Sequence, residues 1–349
     1  MKISLEALLQ RLVARGNDLT RQTTPRADEK TPTSIRLKPS TKHFLEMQAQ
    51  SMNTSVQSLI STILEGVAEA TKDQTDGNLR TMRERFFYVA QAHGVDMPTI
   101  VSLMQDHGFT LSALASNDRL LDLLRKPAIE HWAALFCVRP EWLCAMSDSA
   151  VQTGIANVQW YKNVPSMAHA LVRHVADGLK PKVIVLRRQR ADFDAAAASN
   201  DDASSTVEPV GIVLRLERTA ADGTSFAVYQ RWEFERWNYW RCREQMKLMI
   251  AFCDQMRGQV SIVGHELSME KIDALLKGEQ LPVTLLSRLG SVSWHPDDYV
   301  GVKDSVQREA HEWPGIDKAY RTSPLPAIAE AAGAAPLRPA VPTEAREPA

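Results

Sequence analysis

Several absences narrow what this chain can be. No apolar run approaches the roughly 18–20 residues that a membrane helix needs, so no span and no membrane partner are expected. The stretch from Met1 to Arg15, with Leu5, Leu8, Leu9 and Leu12 at helical spacing, reads as an amphipathic helix rather than a signal peptide with a cleavage site. Cysteine is scarce: Cys137, Cys144, Cys242 and Cys253 lie in apolar helical contexts without a Cys-x-x-Cys pair, which reads as reduced core thiols rather than a zinc or redox motif. There is no His-Glu-x-x-His, no Walker loop and no Gly-x-Ser-x-Gly. His265-Glu266 and Trp294-His295-Pro296-Asp297-Asp298 contain groups capable of acid–base or metal chemistry, but in no recognised spacing, and they read as hydrogen-bonding residues near turns. No catalytic residue, metal or cofactor is therefore expected. Net charge is also nearly absent, at −1, so any basic surface must be local.

What is present is enough apolar sequence for real cores, 44% of 349 residues, and at about 100–200 residues per domain the length predicts more than one domain. Basic residues concentrate at one end. Met1 to His43 carries nine Lys and Arg against four acids, an excess of five, in a region expected to hold a short helix and then a polar linker from Gly16 to Thr33. Such an arm suits a tail that follows a phosphate backbone.

Ser34 to Lys38 reads as a short strand. Pro39 and Ser40 open a helical pattern through Phe44, Leu45 and Met47 to Met52, and a second apolar stripe, Val56, Leu59, Ile60, Ile63, Leu64 and Val67, ends near Thr71. Lys72 to Leu79 reads as a polar connector. Arg80 to Asp148 predicts four or five short helices with breaks at Gly94 to Pro98, Gly108, Lys126-Pro127 and Arg139-Pro140. Beyond Trp160 the pattern becomes mixed: a helix over Met167 to Val175, a strand over Lys182 to Arg188, and an Ala-, Ser- and Asp-rich loop over Ala191 to Glu208. A hairpin follows, Gly211 to Arg218 and Phe226 to Phe234 around Asp222-Gly223. A long helix about Tyr239 to Met256, a strand Val260 to Val263 and a helix about Met269 to Leu276 complete it, and the Pro- and Ala-rich residues 321–349 are expected to be disordered. The domains expected are thus a basic arm (1–32), a small strand–helix–helix module (33–72), a helical module (80–150), an α+β domain (158–300) and a tail.

The segment Thr33-Ser34-Ile35-Arg36-Leu37-Lys38-Pro39-Ser40 followed by two helices resembles the ribbon-helix-helix family of bacterial repressors, antitoxins and plasmid control proteins, over about residues 33–71. A five-residue strand with no partner in its own module must pair elsewhere, and the resemblance implies pairing with the same strand of a second chain, so that a homodimer is part of the fold. Alternation places Ile35 and Leu37 inward against Phe44, Leu59 and Ile63, and Ser34, Arg36 and Lys38 outward. In the family the outward face enters the major groove of double-stranded DNA. Ser34, Arg36 and Lys38 are then the base-reading residues, the guanidinium of Arg36 matching the O6 and N7 acceptors of guanine. Thr54 and Ser55 stand where the family places its cap, and the backbone N–H groups of Ser55 and Val56 would hold a phosphate. Asn53 stands where such modules often have Gly.

Residues 83–148 resemble the lambda-repressor-like (Xre-like) helix-turn-helix family, best over Ile129 to Leu143 with its final Trp142-Leu143. Ala90, Gly94 and Ile100 keep the core spacing of four and six residues. The segment Phe109 to Leu124, longer than a usual recognition helix, offers Ser112, Ser116, Asn117, Asp118 and Arg119 as polar groups. The resemblance implies a second DNA contact through Ser112, Ser116, Asn117 and Arg119; the residues equally allow a packing or dimerisation module.

In the α+β domain Trp232, Phe234, Trp237, Tyr239 and Trp240 interleave with Arg231, Arg236, Arg241 and Arg243. Aromatics beside arginines can stack bases, cover a small-molecule pocket or form an oligomer seam. Trp232, Trp237 and Trp240 are the expected ligand or assembly cluster, serving a small-molecule or protein effector. The function expected is a cytoplasmic, nucleoid-associated DNA-binding regulator or plasmid or mobile-element control protein. The competing expectation is an interaction adaptor or antitoxin-like protein whose small module serves only to dimerise.

Overall fold

A computed structural model describes residues 35–52, 54–151, 158–199, 208–301 and 308–337. The fold is mixed: helices together with a four-stranded mixed sheet. The chain divides into two units, Met1–Thr71 and Lys72–Ala349. The expected N-terminal helix, the linker, Ser34 and Asn53 lie outside the described residues.

In the first unit Pro39 occupies the first turn of α1 (Pro39–Ser51), where its missing N–H costs nothing, and Lys38 before it is extended. Residues 35–38 form no ladder with any of the described residues. The second helix, α2 (Val56–Ala92), starts where the sequence places it but does not end near Thr71: the expected connector Lys72 to Leu79 is helical. That stretch contains no proline. Beyond it, an Arg80–Glu84 pair at 2.8 Å and a Thr81 hydroxyl donating to the Gly77 carbonyl at 2.9 Å bridge successive turns.

The second unit opens with helices packed around Phe86, which stacks on Trp132 at 4.4 Å. They are the end of α2, α3 (Met97–Leu103), α4 (Leu111–Leu114), α5 (Asn117–Leu123), α6 (Lys126–Phe136) and α7 (Pro140–Leu143). After α8 (Val164–Ala176) the sheet is built from β1 (Lys182–Arg188), β2 (Pro209–Thr219), β3 (Ser225–Arg236) and β4 (Ser261–Leu267) in the order β3-β2-β1-β4. β2 and β3 form the expected antiparallel hairpin, with Gly223 left-handed (φ 88°) in the turn, and β1 pairs parallel to β4. A parallel pair requires a crossover, and the chain supplies it with α10 (Trp240–Gln255), while α9 (Phe193–Ser199) lies between β1 and β2.

Alternation along β1 decides the layers. Ile184 and Leu186 join the core shared with α2 to α7, while Val183 and Val185 join the core with α8 and α10. The helical module and the α+β part, expected as separate domains, therefore form one unit with helices on both faces of the sheet. Phe136 of α6 lies 5.6 Å from Phe226 of β3, and the Ala150 N–H donates to the Gly278 carbonyl at 2.7 Å.

Two other expectations fail for the same reason, burial against distant elements. The predicted loop Ala191 to Glu208 contains α9, whose Phe193 stacks on Trp237 at 4.3 Å. The tail expected to be disordered from residue 321 carries, within its described residues, a packed helix. After α11 (Met269–Lys277) and α12 (Pro282–Leu286), α13 (Trp313–Thr322) and α14 (Leu325–Ala331) bury Ile316, Tyr320, Leu325 and Ala329. Small alanines permit that close packing. All four cysteines are free, Cys242 and Cys253 buried, and burial pushes both thiols up to about 12.

Candidate nucleic-acid interface

The first unit brings Arg36 and Lys38 onto an exposed segment outside helix and strand, directly ahead of α1, with Lys38 itself extended. Of the residues assigned to base reading, only Ser34 lies outside the described residues. Around the two cations the apolar side chains stay uncovered. Ile35 is 51% exposed, Phe44 60% and Ile63 48%, whereas Leu59 is buried. The inward set expected to enclose Ile35 and Leu37 is thus not closed within one chain.

The start of α2 is capped as expected. The Ser55 hydroxyl accepts from the Ser58 N–H at 3.0 Å. Helix geometry leaves the Val56 and Gln57 N–H groups without intrahelical acceptors, pointing past an exposed Thr54 and Ser55. The Thr54 N–H itself returns to the Ala49 carbonyl at 3.0 Å, tying the turn to the end of α1. The cap, the two cations and the exposed apolar residues all belong to this one unit.

In the helical part of the second unit, Ala90 and Ile100 are buried and Gly94 takes the left-handed turn (φ 69°), as their spacing requires. The same four-and-six spacing recurs one helix on at Met104, Gly108 (φ 78°) and Leu114. The long segment expected after it is not one recognition helix but two short ones, broken at Ala115 and Ser116. Its polar groups are largely engaged within the chain. The Ser112 hydroxyl meets Thr110 at 3.1 Å, Ser116 caps the Arg119 N–H at 3.5 Å, and Asn117 accepts from Arg83. Of the expected second contact set, Ser112, Asn117 and Arg119 are exposed and Ser116 is half-buried.

The three tryptophans expected to form one ligand or assembly cluster do not. Trp232 and Trp237 have no exposure. Their indole N–H groups donate to Gln230 at 3.2 Å and to Glu309 at 3.1 Å, so both are core residues. Trp240, 45% exposed, is the surface member. His265 is buried, and burial lowers its pKa. Glu266 is neutralised by Arg187 at 2.7 Å, whose guanidinium lies over Trp294 at 4.7 Å and Phe193 at 5.1 Å.

Sequence reasoning missed the buried charge cluster of the second unit. Lys247 and Arg243 of α10 receive Glu309 and Glu312 from the segment before α13. Lysine in an otherwise apolar helical run was the available signal. Among the described residues no group of three or more His, Cys, Asp or Glu is placed to hold a metal, and no helix is long and apolar enough to cross a membrane. The chain matches no family model, no curated protein and no solved structure.

Proposed function

We propose that this chain is a sequence-specific DNA-binding regulator, acting as a homodimer whose paired 34–38 segments enter the major groove. Carrying the reading is the coincidence, within one small unit, of exposed cations at Arg36 and Lys38 with uncovered apolar side chains at Ile35, Phe44 and Ile63. A small two-helix unit that leaves such side chains in water is poorly stabilised. Pairing two copies through their 34–38 segments would satisfy the open backbone groups and cover that apolar surface together. The same pairing would present Arg36 and Lys38 of both chains side by side, with the Ser55-capped ends of α2 flanking them for phosphates.

The basic arm adds sequence-independent affinity, and the second unit supplies a platform for effector binding or assembly. Selection of bound fragments from random duplex DNA by the full chain, at physiological salt, tests the reading. A recovered site with two related half-sites is expected. Recovery of no enriched sequence overturns it in favour of an adaptor that uses the small unit only to dimerise.

A further inference from the structure

The second unit carries a surface strip in which aromatic rings and cations alternate. Tyr161, Tyr239 and Trp240 follow one another with ring centroids 6.4 Å apart at each step. A cation lies over each ring: Lys162 over Tyr161 at 4.9 Å, Arg236 over Tyr239 at 5.0 Å and Arg241 over Trp240 at 5.1 Å. Trp240, Lys162 and Arg241 are exposed, and the two tyrosines half-buried.

The strip has a fixed base. The Trp160 indole donates to the Glu233 carbonyl at 2.9 Å, and the Glu233 carboxylate accepts the backbone N–H groups of Trp160 and Tyr161 at 3.1 and 2.8 Å. Lys162 is held left-handed (φ 63°), its N–H donated to Gln245 at the side of α10. Of the nearby acids, Glu233 accepts backbone donors and feels the charge of Lys162, and Glu235 lies against Cys242, whose thiol is 3.7 Å away, and feels Arg236 and Lys162. Both carboxylates are half-buried, whereas Trp240, Lys162 and Arg241 are exposed, so the outermost side chains of the strip are an aromatic ring and two cations.

From this geometry we infer that the strip Tyr161–Tyr239–Trp240, with Lys162, Arg236 and Arg241, is a binding track for single-stranded nucleic acid. The ring orientation selects the partner. Successive rings are turned by 70° and 63°, so bases lying on them must splay apart. A base-paired strand cannot do this, and a flexible single strand can. Ring faces accept any base, and the neighbouring cations meet the phosphates, the combination that gives sequence-tolerant single-strand binding. This track is separate in sequence from the residues proposed to read duplex DNA, and its test stands independently.

The experiment uses the full chain and a fluorescently labelled oligothymidylate of about 20 nucleotides, enough to exceed the footprint of one small binding module. Anisotropy is read against an equal-length random duplex. The parent protein is expected to bind the single strand. Trp240→Ala with Arg241→Gln should weaken that binding by about tenfold or more while leaving duplex binding unchanged, and Trp240→Phe should retain most of it, because stacking needs a ring rather than an indole. Both substituted side chains are exposed, and an unchanged thermal midpoint checks the fold. Arg36→Ala should leave oligothymidylate binding intact, so a failed duplex reader and a failed track give different patterns. Absence of oligothymidylate binding by the parent, binding indifferent to the double substitution, or equal losses on both probes would each overturn the assignment.

Discussion

Lys247 has no solvent exposure and donates its ammonium to Glu312 at 2.5 Å across 65 positions of sequence, with Glu309 as a second acceptor. Arg243, one helical turn earlier, donates to Glu312 at 3.0 Å and to the Trp237 and Asn238 carbonyls. Trp237 and Tyr299 offer ring faces to the ammonium at 5.8 and 5.9 Å. The segment leading into α13 is thus attached to the core of the second unit by two carboxylates meeting two buried cations.

Removing one partner from such a cluster leaves charge buried without compensation. Lys247→Met should lower unfolding stability by about 3–5 kcal/mol, whereas Lys247→Met combined with Glu309→Gln and Glu312→Gln should recover part of the loss. Urea unfolding followed by far-ultraviolet circular dichroism measures both. A single variant within about 0.5 kcal/mol of the parent, the range of ordinary surface substitutions, would show that the pair contributes nothing.

Acid should weaken the fold through His93. It is 8% exposed, lies 4.7 Å from the Phe136 ring and contacts the Val89 carbonyl at 2.8 Å, and burial lowers its pKa from 6.5 to about 4. The folded chain keeps the ring neutral where the unfolded chain protonates it. The contribution is therefore complete above pH 6.5 and is lost as pH falls toward 4, by about 2 kcal/mol at pH 5. His174 and His265, also lowered by burial, act in the same direction, while Glu233 and Glu235, raised by burial, act in the opposite one. Burial works to raise Glu312 too, but bonding and charge from Lys247 and Arg243 outweigh it. That residue adds a further loss only below its ordinary value of 4.5. The measurement is the change in stability between pH 7 and pH 5 for the parent and for His93→Leu. Equal slopes would remove His93 from the account.

Much of the second unit was legible because local pattern and final burial agree there. β1 spans the predicted residues because both its faces are covered, so Val183 to Leu186 reads as an uninterrupted apolar run. The hairpin was signalled by Asp222-Gly223, and the Asp222 carboxylate accepts the Thr224 N–H at 2.8 Å. What was missed depends on partners far along the chain. Phe193 in an Ala-rich stretch gains its place from Trp237, Trp294 and Tyr299, and Leu325 in the Pro- and Ala-rich tail from the core around α8 and α10. Trp232 and Trp240 are indistinguishable as sequence signals, yet Trp232 is an inward residue of β3 and Trp240 opens α10 at the surface. In the first unit the legible features were the helix start at Pro39 and the Ser55 cap, both set by local chemistry.

Oligomeric state tests the uncovered apolar face. In a monomer, replacing an exposed side chain with Glu is nearly neutral, but across a paired interface it buries an uncompensated charge. The full chain is expected to sediment at twice its 39.0 kDa mass at micromolar concentration, and Phe44→Glu or Ile63→Glu should return it to the single-chain mass without changing the thermal midpoint of the second unit. A parent that sediments as one chain at the same concentration would remove the basis for a paired ribbon.

The sharpest test of DNA reading is Arg36. Its side chain is exposed on the segment before α1, beside Lys38 and ahead of the capped start of α2. A guanidinium aimed at a guanine edge adds discrimination, whereas one resting on a phosphate adds affinity for every sequence alike. Arg36→Ala should therefore cost about 1–3 kcal/mol on a selected duplex and little on random duplex. Because the side chain is exposed, the variant should fold and associate as the parent does. Removing Met1 to Arg26, with Lys2 and four arginines, should have the complementary signature: weaker binding to all duplexes and a shallower dependence of log K on log salt. Measured together by anisotropy over a salt series, the two variants separate base reading from charge. Equal losses from Arg36→Ala on both duplexes would assign the residue to the backbone and move specificity elsewhere on the ribbon.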